Sequence, residues 1–185
     1  MTTLEIRSEL TGSDVDEICS SLEQSGSLQE LINYTLTHRA RLVKPIVSID
    51  TSAIALSFLP AAGEEEISPY SGKDDTFTYH HLRRDLYDLV TRSGCSIAAR
   101  YTLPSAHITI ARFVRTDGSQ EDPRTTGTYA ANLVSKIDDI NEKLDSSENA
   151  FNAEWVIGHE KGLDLMKGRT WYGKGDSVAI GEGFP

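Results

Sequence analysis

The sequence contains few cysteines and no long apolar run. Cys19 and Cys95 are its two cysteines, and they lie far apart without a C-x-x-C spacing. This excludes a disulfide framework or a structural zinc site, which need several cysteines at short spacings. No stretch of about 18 apolar residues could span a membrane, and the polar, acidic N-terminus lacks the features of a signal peptide. We therefore expect a cytoplasmic or nuclear protein with no membrane partner.

Basic residues are also scarce. The chain has 18 Lys and Arg against 28 Asp and Glu, which gives a formal net charge of −10. Long nucleic acid requires a concentrated basic surface, so we exclude it as a partner, whereas a short nucleotide or an RNA end remains compatible. The acidic run at residues 64–66 lies in a polar loop predicted over residues 60–75, where solvated charges are expected rather than metal ligands. The oligomeric state stays open.

Apolar residues recur at helical spacing in four segments, which predict helices. The first helix is expected to begin at Ser13. The second is expected to begin at Ser27, where Glu30 completes a capping box. The third covers residues 77–92, and the fourth carries an apolar stripe over residues 133–144.

Short segments rich in β-branched and aromatic residues predict strands between these helices. Pro45 lacks a donor for the ladder, so its strand is expected at a sheet edge or with a bulge. Hairpins are frequent, which indicates an α+β class with antiparallel pairing in one domain over residues 1–185. The predicted strands cover residues 2–7, 41–50, 53–59, 97–103, 106–114, 155–157, 162–166, 169–172 and 177–180.

The strand at residues 106–114 carries the chemistry. His107 and Thr109 are two residues apart, so they emerge on one face while Ile108 and Ile110 point to the other. An imidazole can transfer a proton, and a neighbouring hydroxyl can hold a phosphoryl oxygen. A histidine placed on a strand by coincidence, in a purely structural domain, is the alternative reading of a short H-x-T motif.

Residues 95–116, CSIAARYTLPSAHITIARFVRT, resemble the second signature strand of the two-histidine (2H) phosphoesterases. Residues 155–164 (WVIGHEKGLD) and 168–173 (GRTWYG) are similar to a fungal group of that superfamily, which is grouped with RNA ligase and cyclic nucleotide phosphodiesterase domains. The resemblance implies two pseudo-symmetric lobes of antiparallel sheet with flanking helices around a central cleft. Each lobe would contribute one strand with an H-x-[TS] motif.

The first of these two motifs is incomplete in this chain. Residues 1–6, MTTLEI, resemble it from its second position onward, with Met1 as the variable residue and Thr2 as the threonine. The first histidine would fall immediately before Met1, and His38, His80 and His81 do not fit its role. Two interpretations stay open: the chain lacks the N-terminal part of the family, or it is a paralogue that has lost half of its site.

Further candidates for substrate binding lie within the matching segments 95–116 and 168–173. The aromatic pair Trp171 and Tyr172 could stack on a base at the rim of a nucleotide cleft, or pack a hairpin instead. Arg100 and Tyr101 precede the motif strand and are assigned to the same role.

The resemblance implies a metal-independent phosphoesterase without a cofactor, acting on a cyclic phosphate or a short phosphodiester of a nucleotide or RNA end. His107, Thr109 and Thr2 are its predicted catalytic residues. One histidine would activate water or a ribose hydroxyl while the other protonates the leaving oxygen. The alternative is a catalytically impaired module of the same fold that binds a nucleotide or an RNA end.

Overall fold

The computed structural model describes residues 1–50, 52–62, 75–97, 106–113, 127–146, 154–169 and 175–185. Its elements form a mixed α/β fold with antiparallel sheets, as the sequence predicted. The predicted loop at 60–75, nearly all of the strand at 97–103 and most of that at 169–172 lie outside the described residues. The helices are α1 (Gly12–Gln24), α2 (Ser27–Ile32), a 3-10 turn (Tyr34–Leu36), α3 (Tyr79–Arg92) and α4 (Gly127–Asp145); the strands are β1 (Arg41–Ile49), β2 (Ala53–Pro60), β3 (Ala106–Arg112), β4 (Trp155–Val156), β5 (Asp164–Lys167) and β6 (Asp176–Ile180).

Helix α1 begins earlier than its sequence pattern suggested. Thr11, not Ser13, is the N-cap, and Asp14 at the third helical position completes a capping box with it. The Asp14 amide donates to Thr11 Oγ1 at 3.4 Å, and the Thr11 amide donates to Asp14 Oδ2 at 3.1 Å. The hydrogen bonds to Asp14 also lower the pKa of its carboxyl.

The predicted capping box of α2 was wrong. Gly26 is the N-cap, with a φ of 74°, and no side chain caps the helix there. Ser27 is already the first helical residue, so its hydroxyl cannot take the capping position, and Glu30 has no box to complete. Glycine is favoured at this position because the left-handed conformation costs it little.

The N-terminal segment also departs from the sequence pattern. Residues 1–10 contain no strand, so the strand predicted at residues 2–7 was wrong. Met1, Leu4 and Ile6 are partly buried against the main core instead. An alternating pattern of apolar residues does not by itself provide a neighbouring strand to pair with. Without such a partner, the apolar side chains can still pack against the core.

A four-stranded antiparallel sheet has the order β3-β2-β1-β4. The predicted hairpin between β1 and β2 is confirmed, and the Asp50 carboxylate accepts from the amides of Ser52 and Ala53 at its turn. The bulge predicted at Pro45 is also confirmed: the register shifts between Val43 and Ile46. Two further strands, β5 and β6, form a separate antiparallel pair.

One face of the four-stranded sheet packs on the helices. Leu42, Phe58 and Ala106 come from three neighbouring strands and are almost fully buried in the main core. Helices α1, α2 and α3 contribute apolar side chains to the same core, as their spacing predicted: Leu22, Leu28, Leu31, Ile32, Leu82, Leu86, Leu89 and Val90. The opposite face of the sheet is therefore the side on which a polar site can form.

Among the described helices, none combines the length and the apolar character needed to cross a bilayer.

Candidate functional site

His107 and Thr109 lie side by side on the face of β3 that points away from the main core. Their neighbours Ala106 and Ile108 pack into that core, with Ala106 almost completely buried. Successive strand residues alternate between faces, so the burial of this pair fixes the direction of His107 and Thr109. The structure thus confirms that the motif residues share one face of a strand.

Strand β2 supplies the next row of this face. In the antiparallel register His107 is paired with Ser57, and Thr109 is paired with Ala55. The register shifts between Ile54 and Ala55 just beyond this pair. The motif therefore lies in the regular part of the ladder.

Strand β1 supplies a third row, in which Ser57 is paired with Ile46 and Ala55 with Ser48. The two serines are diagonal neighbours, and their hydroxyl oxygens lie 3.1 Å apart. Ser48 also donates to the carbonyl of Ala55 at 3.3 Å. We call the six positions His107, Thr109, Ser57, Ala55, Ile46 and Ser48 the open face.

The open face is accessible to a ligand. Thr109 and Ser48 are exposed, and His107 and Ser57 are half-buried. Ile46 is 51% exposed, and Leu59, two residues beyond Ser57 on the same face, is 52% exposed. An imidazole, three hydroxyls and an apolar border therefore share one accessible surface.

Thr2 lies elsewhere among the described residues. It contributes to a cavity of about 930 Å³ that is lined by the N-terminal segment, by α1 and by residues 155–169. Its carbonyl accepts a 3.5 Å hydrogen bond from Tyr79, a residue of the main core. Neither His107 nor Thr109 is among the described residues that line this cavity. The structure joins the motif to two serines, and a role for Thr2 in the same site stays a prediction.

Arg100, Tyr101, Trp171 and Tyr172 lie outside the described residues, so their predicted role in substrate binding stays a prediction.

The other four histidines belong to other parts of the fold. His38 stacks on Tyr34 with ring centroids 4.2 Å apart, and His159 contacts Phe184 edge-on. His80 is exposed in the first turn of α3, and His81 accepts from the Thr78 amide at 3.1 Å in the capping box of the same helix. The helical placement predicted for His80 and His81 is confirmed.

The described residues contain no group of three His, Cys, Asp or Glu side chains arranged to hold a metal ion. The sequence-based expectation that the site works without a metal stays a prediction.

Ser57 and Ser48 were not recognised from the sequence. Each is the single hydroxyl residue of its strand, which is a weak signal. Counting from the hairpin connection between β1 and β2, back to Ser48 and forward to Ser57, could have placed both on the face opposite Leu56 and Phe58. The cross-strand register to His107 needs the pairing of β2 with β3, which connects segments about 50 residues apart.

Comparison of the chain with family models, with curated proteins and with solved structures found no match.

Proposed function

We propose that this protein is a phosphoesterase of the two-histidine kind, acting on a cyclic phosphate or a short phosphodiester of a nucleotide or RNA end. The observation that carries the proposal is the placement of His107 and Thr109 on one accessible sheet face. The resemblance of residues 95–116 and of the two C-terminal segments to that superfamily supports the same chemistry. It also supports the finer fold proposal of two lobes around a cleft.

The residues on this face suit phosphoryl chemistry. The His107 imidazole can give or take a proton at the reacting oxygen. The Thr109 hydroxyl can donate to a non-bridging phosphoryl oxygen, whose negative charge increases in the transition state. Donors that are already in position stabilise that charge without a metal ion. A second histidine would be required for the opposite proton transfer, because one imidazole cannot serve as acid and base in the same step.

The second candidate is a module that binds a nucleotide or an RNA end with little turnover. It is favoured by the distribution of histidines, since His107 lies on the open face while His38, His80, His81 and His159 belong to other elements. The placement of Thr2 in the cavity beside Tyr79 favours it as well. In this case the open face keeps its phosphate contacts and lacks one proton-transfer group.

Two assays on the same variants test the proposal. Hydrolysis of a 2′,3′-cyclic nucleotide measures turnover, and NMR titration with a nucleoside 3′-monophosphate measures binding. We expect His107→Ala to weaken binding and to abolish any turnover, whereas His80→Ala, an exposed histidine on α3, should match the wild type. A chelator should leave both readouts unchanged.

The results separate the two candidates. Turnover that depends on His107 supports the enzyme, and binding that depends on His107 without turnover supports the module. Turnover that is unaffected by His107→Ala, or binding that is unaffected when no turnover is seen, would overturn both. Loss of activity with chelator, restored by a divalent ion, would contradict a metal-free mechanism.

A further inference from the structure

We infer that Ser57 is a third phosphate-binding group of the open face and that Ser48 positions its hydroxyl. The inference rests on the proposed function and extends it to strands β1 and β2, outside the motif strand. It also specifies the bound chemistry as a phosphate or phosphate ester that accepts hydrogen bonds from Ser57, Thr109 and His107.

The register places Ser57 within reach of the same ligand as the motif. Directly opposed residues in an antiparallel pair have Cβ atoms about 4.5–5.5 Å apart, so the Ser57 and His107 side chains project from adjacent points. Thr109 is opposed by Ala55, whose side chain is a single methyl group. The space above Ala55 is therefore bordered by two hydroxyls and an imidazole, with little side-chain bulk between them.

The hydrogen bonds around Ser48 explain how Ser57 can become a donor. A serine hydroxyl has one proton and can accept two hydrogen bonds. When Ser48 donates to the Ala55 carbonyl, Ser57 donates to Ser48 across their 3.1 Å contact. When a phosphate arrives, Ser57 can turn its proton to a phosphoryl oxygen while Ser48 donates to Ser57 instead. Ser48 keeps the Ser57 oxygen in place in both arrangements.

The chemistry of the open face favours a phosphate over a carboxylate. A phosphate group offers three or more oxygens in a tetrahedral arrangement, which can accept from donors on two neighbouring strands at once. Hydroxyl donors also suit an anionic ligand in a protein with a net charge of −10, because hydroxyl groups are uncharged and do not repel the ligand.

The test is an NMR titration with inorganic phosphate and, separately, with a nucleoside 3′-monophosphate. Loss of one hydrogen bond to a charged ligand predicts that Ser57→Ala weakens both affinities by at least about tenfold. Ser57→Thr, which keeps the hydroxyl, should retain most of the affinity. Ser48→Ala should cause a smaller loss, about two- to fivefold, since it removes only the positioning contact. Ser20→Ala, an exposed serine on α1, is the matched control and should bind like the wild type.

Each outcome has a defined meaning. Weakening by Ser57→Ala with rescue by Ser57→Thr, and with an unchanged urea midpoint, supports the inference. If His107→Ala weakens binding while Ser57→Ala does not, the inference is overturned and the proposed function stands. If neither ligand binds, or if neither variant changes binding, the inference is overturned, and the proposed function is overturned as well unless turnover of the cyclic nucleotide depends on His107.

Discussion

Asn141 binds both backbone groups of Val47. Its side-chain carbonyl accepts from the Val47 amide at 2.8 Å, and its amide donates to the Val47 carbonyl at 3.0 Å. Helix α4 thereby supplies the two hydrogen bonds that a neighbouring strand would make at this point of β1. Unpaired backbone groups at a strand edge are sites for pairing with another chain, and this contact blocks one of them.

We expect Asn141→Ala to lower the free energy of unfolding by about 1–3 kcal/mol, because it removes two hydrogen bonds from a partly buried backbone site. Urea denaturation measures the change. Glu142→Ala, at the next and exposed position of α4, is the control and should behave like the wild type. Equal stability of both variants would show that water replaces the asparagine without cost.

Close backbone packing at Gly181 predicts a larger effect. A methyl group at Gly181 would overlap the carbonyl of Ile32. A methyl group at Gly158 would overlap the side chain of Thr35, and the φ of +84° at Gly158 adds strain for any other residue. We expect Gly181→Ala and Gly158→Ala each to destabilise the protein by about 2 kcal/mol or more. Gly12→Ala meets no atom within 4 Å and should change thermal stability little. A melting temperature that stays constant in all three variants would contradict this packing.

Arg41 joins two segments that are distant in sequence. Its Nε donates to Asp75 Oδ1 at 3.1 Å, and its Nη1 donates to Glu154 Oε2 at 3.0 Å. The side chain is only 8% exposed, and hydrogen bonds to the two carboxylates raise its pKa above the ordinary value. The guanidinium therefore stays charged, and its removal leaves two carboxylates without their counter-charge in a poorly solvated place.

We expect Arg41→Ala to cost about 3–5 kcal/mol of unfolding free energy, as is typical when one partner of a buried ion pair is removed. Arg84→Ala removes an exposed ion pair with Asp85 and should cost less than about 1 kcal/mol. Chemical denaturation of both variants gives the comparison. Similar small losses in both would mean that water compensates the charges around Arg41.

Tyr34 predicts a dependence of stability on alkaline pH. Burial and a hydrogen bond to Asp85 raise the pKa of Tyr34 to about 12, whereas an unfolded tyrosine titrates near pH 10. The stabilisation is fully present below about pH 10 and is lost as the pH rises through about 12, because the unfolded chain releases the proton first. Tyr34→Phe should reduce the slope of unfolding free energy against pH in this window, and Tyr87→Phe should retain it. An identical slope in wild type and Tyr34→Phe would refute the assignment.

The sequence predicted those parts of the fold that depend on local preference. The bulge at Pro45 followed from a missing amide donor, and the hairpin from two apolar strands separated by a short turn. Local preference misplaced the start of α1, since Thr11 with Asp14 and Ser13 with Asp16 have the same capping spacing, and the spacing does not decide between them.

Only the part of the candidate site that depends on a local sequence pattern was predicted. Alternation along one strand was sufficient to place His107 and Thr109 together. The contribution of Ser57 depends on which strand pairs with β3 and in which register, and that is set by packing across the whole sheet. Thr2 was assigned by resemblance, and its location depends on how residues 1–10 pack, which the alternation of that segment does not determine.

The exposed apolar residues beside Ser57 predict where the organic part of a ligand lies. Ile46 and Leu59 are each about half exposed on the same side of the sheet as His107. A phosphate held at the open face would place its attached sugar or base near this border, where apolar contact excludes water. Inorganic phosphate carries no such group and gains nothing from these contacts.

We expect Leu59→Ser to weaken binding of a nucleoside 3′-monophosphate by about three- to tenfold and to leave binding of inorganic phosphate unchanged, since a half-exposed leucine contributes roughly 1 kcal/mol of apolar contact. Ile46→Ser should act in the same direction. Ile180→Ser, at a residue of β6 that is 51% exposed, is the matched control and should affect neither ligand. Parallel NMR titrations with the two ligands measure the difference. If Leu59→Ser weakened the binding of both ligands equally, the substitution would be acting on the phosphate contacts. That result would contradict an apolar border for the nucleoside.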